Sequence, residues 1–206
     1  WFYQTSPHDL HDYDGINEQI LLDLPINGQT RKVLIRPDRN GYVYVMDRTN
    51  GQVLSANPFA YITASNGVDL STGKLIENPE KKPEVGKVVR EICPAAPGAK
   101  DWQPSAFSPN TGLVYIPHQN LCMDEEGIEA NYIAGTPYVG MNVRMYGGPG
   151  GNRGEFLAWD PVNGQKVWAI PEKFPVWSGA LATAGDVVFY GTMDGWFKAV
   201  DAESGR

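Results

Sequence analysis

Short apolar runs recur along the chain, each ending at a cluster of turn residues. Tyr42 to Val45, Leu113 to Ile116, Val187 to Tyr190 and Phe197 to Val200 are each about one strand long. Runs of this length, bounded by Gly, Pro, Asn or Asp, predict strands rather than helices. Few stretches keep a helical period for three turns. The pattern predicts an all-β protein built of strand pairs, with Met193-Asp194-Gly195-Trp196 as one hairpin turn.

A repeat is superimposed on the strands. Asp47-Arg48-Thr49-Asn50-Gly51, Asp69-Leu70-Ser71-Thr72-Gly73, Asp160-Pro161-Val162-Asn163-Gly164 and Asp201-Ala202-Glu203-Ser204-Gly205 share the ending Asp-x-x-[Thr/Asn/Ser]-Gly. Asp caps a turn through neighbouring backbone amides, and Gly supplies a positive φ. The last two marks are 41 residues apart, about one four-stranded propeller blade. Trp168, just after the third mark, stands where a large ring could dock on a neighbouring sheet. These marks predict a partial β-propeller over residues 1–206, of four or five blades at most, with long excursions at 74–104 and 123–156. A propeller must close to remove open edges. The strand-like Trp1-Phe2-Tyr3 and the repeat ending at Gly205 therefore suggest an internal piece of a longer propeller.

Composition narrows the function. A net charge of −7 argues against nucleic acid, because phosphate binding needs a basic face. No apolar run is long enough to span a membrane as a helix. The two cysteines, Cys93 and Cys122, form no CxxC pair and no zinc pattern. A disulfide and two buried thiols are both open on spacing. Neither a phosphate-cradling Gly loop nor a nucleophile elbow is present, which argues against phosphoryl and acyl transfer.

Two clusters could carry chemistry. In Pro7-His8-Asp9-Leu10-His11-Asp12-Tyr13-Asp14-Gly15, Asp12 and Asp14 are two apart. On an extended segment they would point to one side and repel, unless a cation lies between them or one holds a proton. Carboxylates suit a hard cation, calcium or a lanthanide, better than zinc. A solvated acidic turn fits the same spacing. In Arg36-Pro37-Asp38-Arg39-Asn40-Gly41, Arg39 could reach a carboxylate or quinone oxygen, or pair with Asp38 at the surface. His8 and His11 read as hydrogen-bonding partners, Asp9 as structural, and Trp168, Trp177 and Trp196 as core.

Together these segments resemble quinoprotein methanol dehydrogenases. Residues 1 to 15 are similar to that family's active-site segment, and Pro37 to Gly41 and Asp47 to Gly51 to the strand region after it. Glu91-Ile92-Cys93-Pro94, Gly98-Ala99-Lys100-Asp101, Cys122-Met123-Asp124 and Val176 to Gly195 continue the resemblance end to end. It implies an eight-bladed propeller with tryptophan-docking repeats, of which these residues would be the middle third. It implies oxidation of a primary alcohol, most simply methanol, with pyrroloquinoline quinone (PQQ) accepting hydride and a metal acting as Lewis acid. Electrons would pass to a c-type cytochrome, in a periplasmic homodimer.

The resemblance also implies residue roles. Asp12 matches the catalytic base and a metal ligand. Asp14 matches the additional metal-ligand Asp of the lanthanide-dependent branch, where calcium enzymes carry a small residue. Arg39 matches the quinone-contacting Arg. Where the family commonly has an Asn before a Met-Tyr-Pro-Gly-Pro loop, this chain has Arg144, with Asn142 two residues earlier; one or the other would approach the cofactor. Cys93 and Cys122 match positions that pair as a disulfide. The competing readings are a calcium-dependent alcohol or sugar dehydrogenase of the same fold, and a non-enzymatic propeller scaffold with the same repeats.

Overall fold

A computed structural model describes residues 1–206. Four strands, β1 (Ile20–Ile26), β2 (Gln29–Pro37), β3 (Tyr42–Asp47) and β4 (Val53–Pro58), form an antiparallel meander in chain order. A hairpin follows, β5 (Ser65–Asp69) with β6 (Lys74–Glu77), then a turn of 3-10 helix at Pro79–Lys81 and strand β7 (Val88–Ile92). The second blade contains β8 (Ala106–Ser108) and β9 (Leu113–Gln119). The chain then leaves it for the hairpin β10 (Leu121–Gly127) and β11 (Met141–Gly147). It returns as β12 (Gly154–Asp160) and β13 (Gln165–Glu172), giving the order β13-β12-β9-β8. β14 (Leu181–Ala182), β15 (Val187–Gly191) and β16 (Phe197–Asp201) form a third sheet. No helix is long and apolar enough to cross a membrane.

The blades stack through alternate residues of their middle strands. Val43 and Val45 of β3 pack with Val114, Ile116, Leu157 and Trp159 of the second blade. The opposite face of β9 and β12 sends Tyr115, Phe156 and Ala158 against Val188, Tyr190 and Val200 of the third. Middle strands are thus apolar on both faces, which explains why β3 and β9 are buried throughout. Each large apolar side chain so buried stabilises the fold by roughly 1.5–3 kcal/mol. The architecture is that of propeller blades, as the repeat predicts.

The Asp–Gly marks are turns at strand ends, with Asp47–Gly51 joining β3 to β4 and Asp160–Gly164 joining β12 to β13 within a sheet. Asp47 accepts from the Thr49 amide at 2.8 Å, and Asp160 and Asp201 do the same for Val162 at 2.9 Å and Ser204 at 2.8 Å. Two of these turns receive an indole from another part of the chain. Trp168 Nε1 donates to the Ala202 carbonyl at 3.1 Å, and its ring lies where a Cβ on Gly205 would stand. Trp1 repeats this geometry at Arg48 and Gly51, again with a 3.1 Å hydrogen bond. At Gly164 the corresponding space is taken by Asn57 instead.

Three expectations need correction. Trp1 to Tyr3 is not a strand; Trp1 acts as a docking residue. The Asp69–Gly73 mark belongs to a two-stranded hairpin rather than a blade. The excursions are not plain loops: β7 from the first pairs with β10 from the second, giving a three-stranded sheet ordered β11-β10-β7. Local spacing does not reveal this pairing, because its partners are far apart in sequence.

Antiparallel connectivity puts the site at one end of the blades. The segment before β1, the β2–β3 turn and the excursions after β4 and after β9 all emerge there. The turns at 47–51 and 160–164 lie at the other end.

Candidate active site

The acidic segment is folded back on itself. The Asp9 carboxylate accepts from the amides of His11 (3.0 Å), Tyr13 (2.5 Å) and Asp14 (3.1 Å). Gathering three amides onto one carboxylate bends the chain, and Asp12 takes φ 66°. The extended segment expected from the spacing of Asp12 and Asp14 is therefore not present. Tyr13 nevertheless turns inward, fully buried, and its hydroxyl donates to the Pro94 carbonyl at 2.5 Å. Asp12 and Asp14, on either side of it, are exposed.

Arg39 sits in the β2–β3 turn, its side chain 10% exposed. Nη1 donates to the Asp14 carbonyl at 2.8 Å, and Nη2 to the Ala96 carbonyl at 2.6 Å. The same group faces Asp12 Oδ2 at 3.4 Å and Asp101 Oδ1 at 3.5 Å. Asp38 pairs with Arg36 at 2.5 Å, so the surface pair of Asp38 with Arg39 does not form. The Arg39 stem is pressed against Gly98, where φ is +78° and an added Cβ would stand 2.6 Å from the Arg39 Cβ. Only glycine lets the chain pass this close.

Asp101, Trp102 and Trp177 complete this end. The Asp101 amide donates to Gln103 at 3.2 Å, and the buried Lys100 ammonium bonds Glu18 at 2.7 Å and the Asp101 carbonyl at 3.0 Å. Burial lowers the Lys100 pKa, opposed by Glu18. Trp102 and Trp177 lean on each other with centroids 5.6 Å apart, so Trp177 packs at this end rather than inside a blade.

Two carboxylates, Asp12 and Asp101, and the main-chain carbonyl of Asp14 therefore surround one guanidinium. The pKa of Asp12 is raised, first by lost hydration and then by Asp14, Asp9 and Asp101, with Arg39 opposing. Excess negative charge of this kind favours a bound cation or a shared proton. No three His, Cys, Asp or Glu side chains in the chain converge closely enough to hold a metal by themselves. The donor chemistry still fits a hard ion beside a planar anionic ring. The carboxylates are hard ligands, and the buried Nε of Arg39 has no partner.

Asn142 and Arg144 are not brought to this cluster. They lie on β11 opposite Glu126 and Asp124. Side chains alternate across a strand, so they share the face of Asp124, while Glu125 on the other face meets His11. Cys93 and Cys122 are joined as a disulfide, which ties the two excursions together. Asp101 and the Ala96 carbonyl were not singled out from sequence: only the fold brings residues 57 and 62 positions away to Arg39.

The family profile described as PQQ, Glucose/ethanol/alcohol dehydrogenase, beta-propeller domain, matches residues 1–57. The "Lanthanide-dependent methanol dehydrogenase" of Methylacidiphilum fumariolicum is 50% identical over all of this chain and 34% of its own length. The protein of the same name from Methylorubrum extorquens is 47% identical over all of this chain and 36% of its own. A solved "Europium-containing methanol dehydrogenase" superposes with a TM-score of 0.96 at 49% identity, covering 99% of this chain and 36% of that one. The chain thus spans about a third of the length of these relatives.

Blades joined by indole docking, with carboxylates and an arginine gathered at one end, define a propeller of the quinoprotein dehydrogenase class. Within that class, the chain belongs to the quinoprotein methanol and alcohol dehydrogenase family.

Proposed function

We propose that this chain carries the acid–base and ion-binding part of a PQQ-dependent methanol dehydrogenase of the lanthanide type. The observation that carries the reading is the pair Asp12 and Asp14, exposed on either side of buried Tyr13, with Arg39 binding Asp12 through its carboxylate and Asp14 through its main-chain carbonyl. When bound, PQQ supplies the hydride acceptor and the ion a Lewis acid. Asp12 accepts the hydroxyl proton of a primary alcohol. Asp12 and Asp14 offer the ion two carboxylates; a trivalent ion gains more from the second than a divalent one does. Arg39, already desolvated, would stabilise negative charge on the quinone oxygens. Trp102 and Trp177 give an apolar edge beside Asp101. Asn142 and Arg144 have no role in this reading.

In this reading the residues form the middle third of one eight-bladed propeller domain. The enzyme works in the periplasm as a homodimer and passes electrons to a c-type cytochrome. The disulfide supports an oxidising compartment, and the printed name of one relative, "Methanol dehydrogenase [cytochrome c] subunit 1", supports the acceptor. A calcium-dependent enzyme of the same fold is the second reading, and Asp14 is the residue that disfavours it. Dye-linked methanol oxidation by the whole protein, reconstituted with PQQ and either lanthanum or calcium, tests the proposal. Turnover greater with lanthanum is expected. Turnover only with calcium supports the second reading, and none with any alcohol under either ion overturns both.

A further inference from the structure

Glu125 lies on β10, 1% exposed, in the sheet formed by the two excursions. One side chain hydrogen-bonds to it: His11, whose Nδ1 is 2.8 Å from Oε2. Strand alternation puts Glu125 on the same face as Met123, whose sulfur accepts from the Ala96 amide at 3.1 Å. Ala96 in turn binds Arg39. This face of β10 is therefore directed at the acidic segment. A position that served packing alone would be filled better by an apolar side chain, because a buried carboxylate forfeits hydration and needs a partner.

We infer that Glu125 is a positioning residue for Asp12, acting through His11. The inference rests on the reading of Asp12 and Asp14 as base and ion ligands. Asp12 has a left-handed backbone, φ 66°, a region Asp enters more readily than most residues, so where its carboxylate stands depends on what anchors its neighbours. The constraints sit on both sides of it. Tyr13 is anchored to the Pro94 carbonyl and His11 to Glu125. Asp9 bends the segment from within; a single outside anchor would let that bend swivel, whereas two anchors straddling Asp12 hold it against the rest of the protein. The His11 and Tyr13 rings also contact each other, with centroids 5.3 Å apart. Both anchors rest on the disulfide-linked sheet. Pro94 follows Cys93, and Glu125 is three residues beyond Cys122. The sheet thus acts as a fixed wall that sets where the Asp12 carboxylate stands.

The test uses the whole protein with the disulfide intact, and three variants. Glu125→Gln keeps an acceptor for His11, Glu125→Leu removes it, and Asp14→Ala probes the ion site itself. Amide exchange across residues 9–15 of the metal-free protein is read alongside terbium affinity from luminescence titration. In Glu125→Leu, exchange is expected to rise and terbium affinity to fall, each about ten-fold, while Glu125→Gln stays near wild type. Should Glu125→Leu not fold, His11→Leu breaks the same bond from the less buried side and is read in the same way. If Asp14→Ala leaves terbium affinity unchanged, the ion-site reading fails, and exchange alone then decides the anchor. If Asp14→Ala weakens binding while loss of the His11–Glu125 bond alters neither exchange nor affinity, the positioning role is overturned.

Discussion

Arg39 Nη1 donates to the main-chain carbonyl of Asp14 at 2.8 Å. With its second nitrogen facing the Asp12 carboxylate at 3.4 Å, one guanidinium sets the spacing of both acidic residues. A lysine offers one charged point where this geometry needs a fork. Arg39→Lys should therefore lower kcat about ten- to a hundred-fold, a loss of roughly 1.4–2.7 kcal/mol in the transition state. Steady-state kinetics with methanol and an artificial electron acceptor give the comparison. An unchanged kcat would show that charge alone suffices at this position.

His118 is a buried neutral base away from the acidic cluster. Its Nδ1 donates to the Ala99 carbonyl at 2.8 Å, and burial pushes its pKa down to about 4. Unfolded, the ring titrates near pH 6.5, so the unfolded chain binds more protons between pH 6.5 and 4. Stability from this site is complete above 6.5 and falls with pH across that window, by up to about 3 kcal/mol. His118→Asn should flatten this limb. Urea unfolding of both proteins at pH 7 and pH 4.5 checks it: an equal loss in each means His118 does not carry the effect.

The Cys93–Cys122 bond closes a loop with a sequence separation of 29. On the chain-entropy account such a closure contributes about 3–4 kcal/mol. The double variant Cys93→Ala/Cys122→Ala should lose stability of that order. It should also raise amide exchange at residues 9–15, since both anchors of the acidic segment rest on the linked excursions. Lost stability with no change in that segment would separate the disulfide from the site.

Gly205 and Gly28 both have positive φ, +71° and +76°, but only Gly205 lies under an indole. An alanine at Gly28 meets nothing within 4 Å, whereas one at Gly205 would stand 2.8 Å from the Trp168 ring. Gly28→Ala should cost about 1–2 kcal/mol from backbone preference. Gly205→Ala should cost more, because the docked indole must also move. Equal shifts in thermal unfolding would mean that the indole docking adds no constraint.

The strands and the Asp–Gly turns were legible because they are local, set by alternation and turn chemistry within a few residues; Trp168 stood out only by its place just after a repeat mark. The acidic cluster and Arg39 were legible as residue types but not as geometry. Asp12 and Asp14 are exposed because Asp9 folds the segment and Tyr13 is drawn inward, not because the chain is extended. The sheet joining β7 to β10, the approach of Asp101 to Arg39 and the His11–Glu125 bond come from pairings 30 or more residues apart. These pairings depend on tertiary packing and, with no repeat to mark them, leave no trace in spacing. The same reason separates Asn142 and Arg144 from the site: the pairing of β10 with β11 turns them to the far face.

The most direct measurement is the metal content and lanthanide affinity of the whole PQQ-loaded protein and its Asp14→Ala variant, by elemental analysis and europium titration. If two neighbouring carboxylates hold a trivalent ion, the natural protein should retain one lanthanide through purification. The variant should bind at least about ten-fold more weakly, and calcium should be affected less. Equal lanthanide binding by the two proteins would contradict the account.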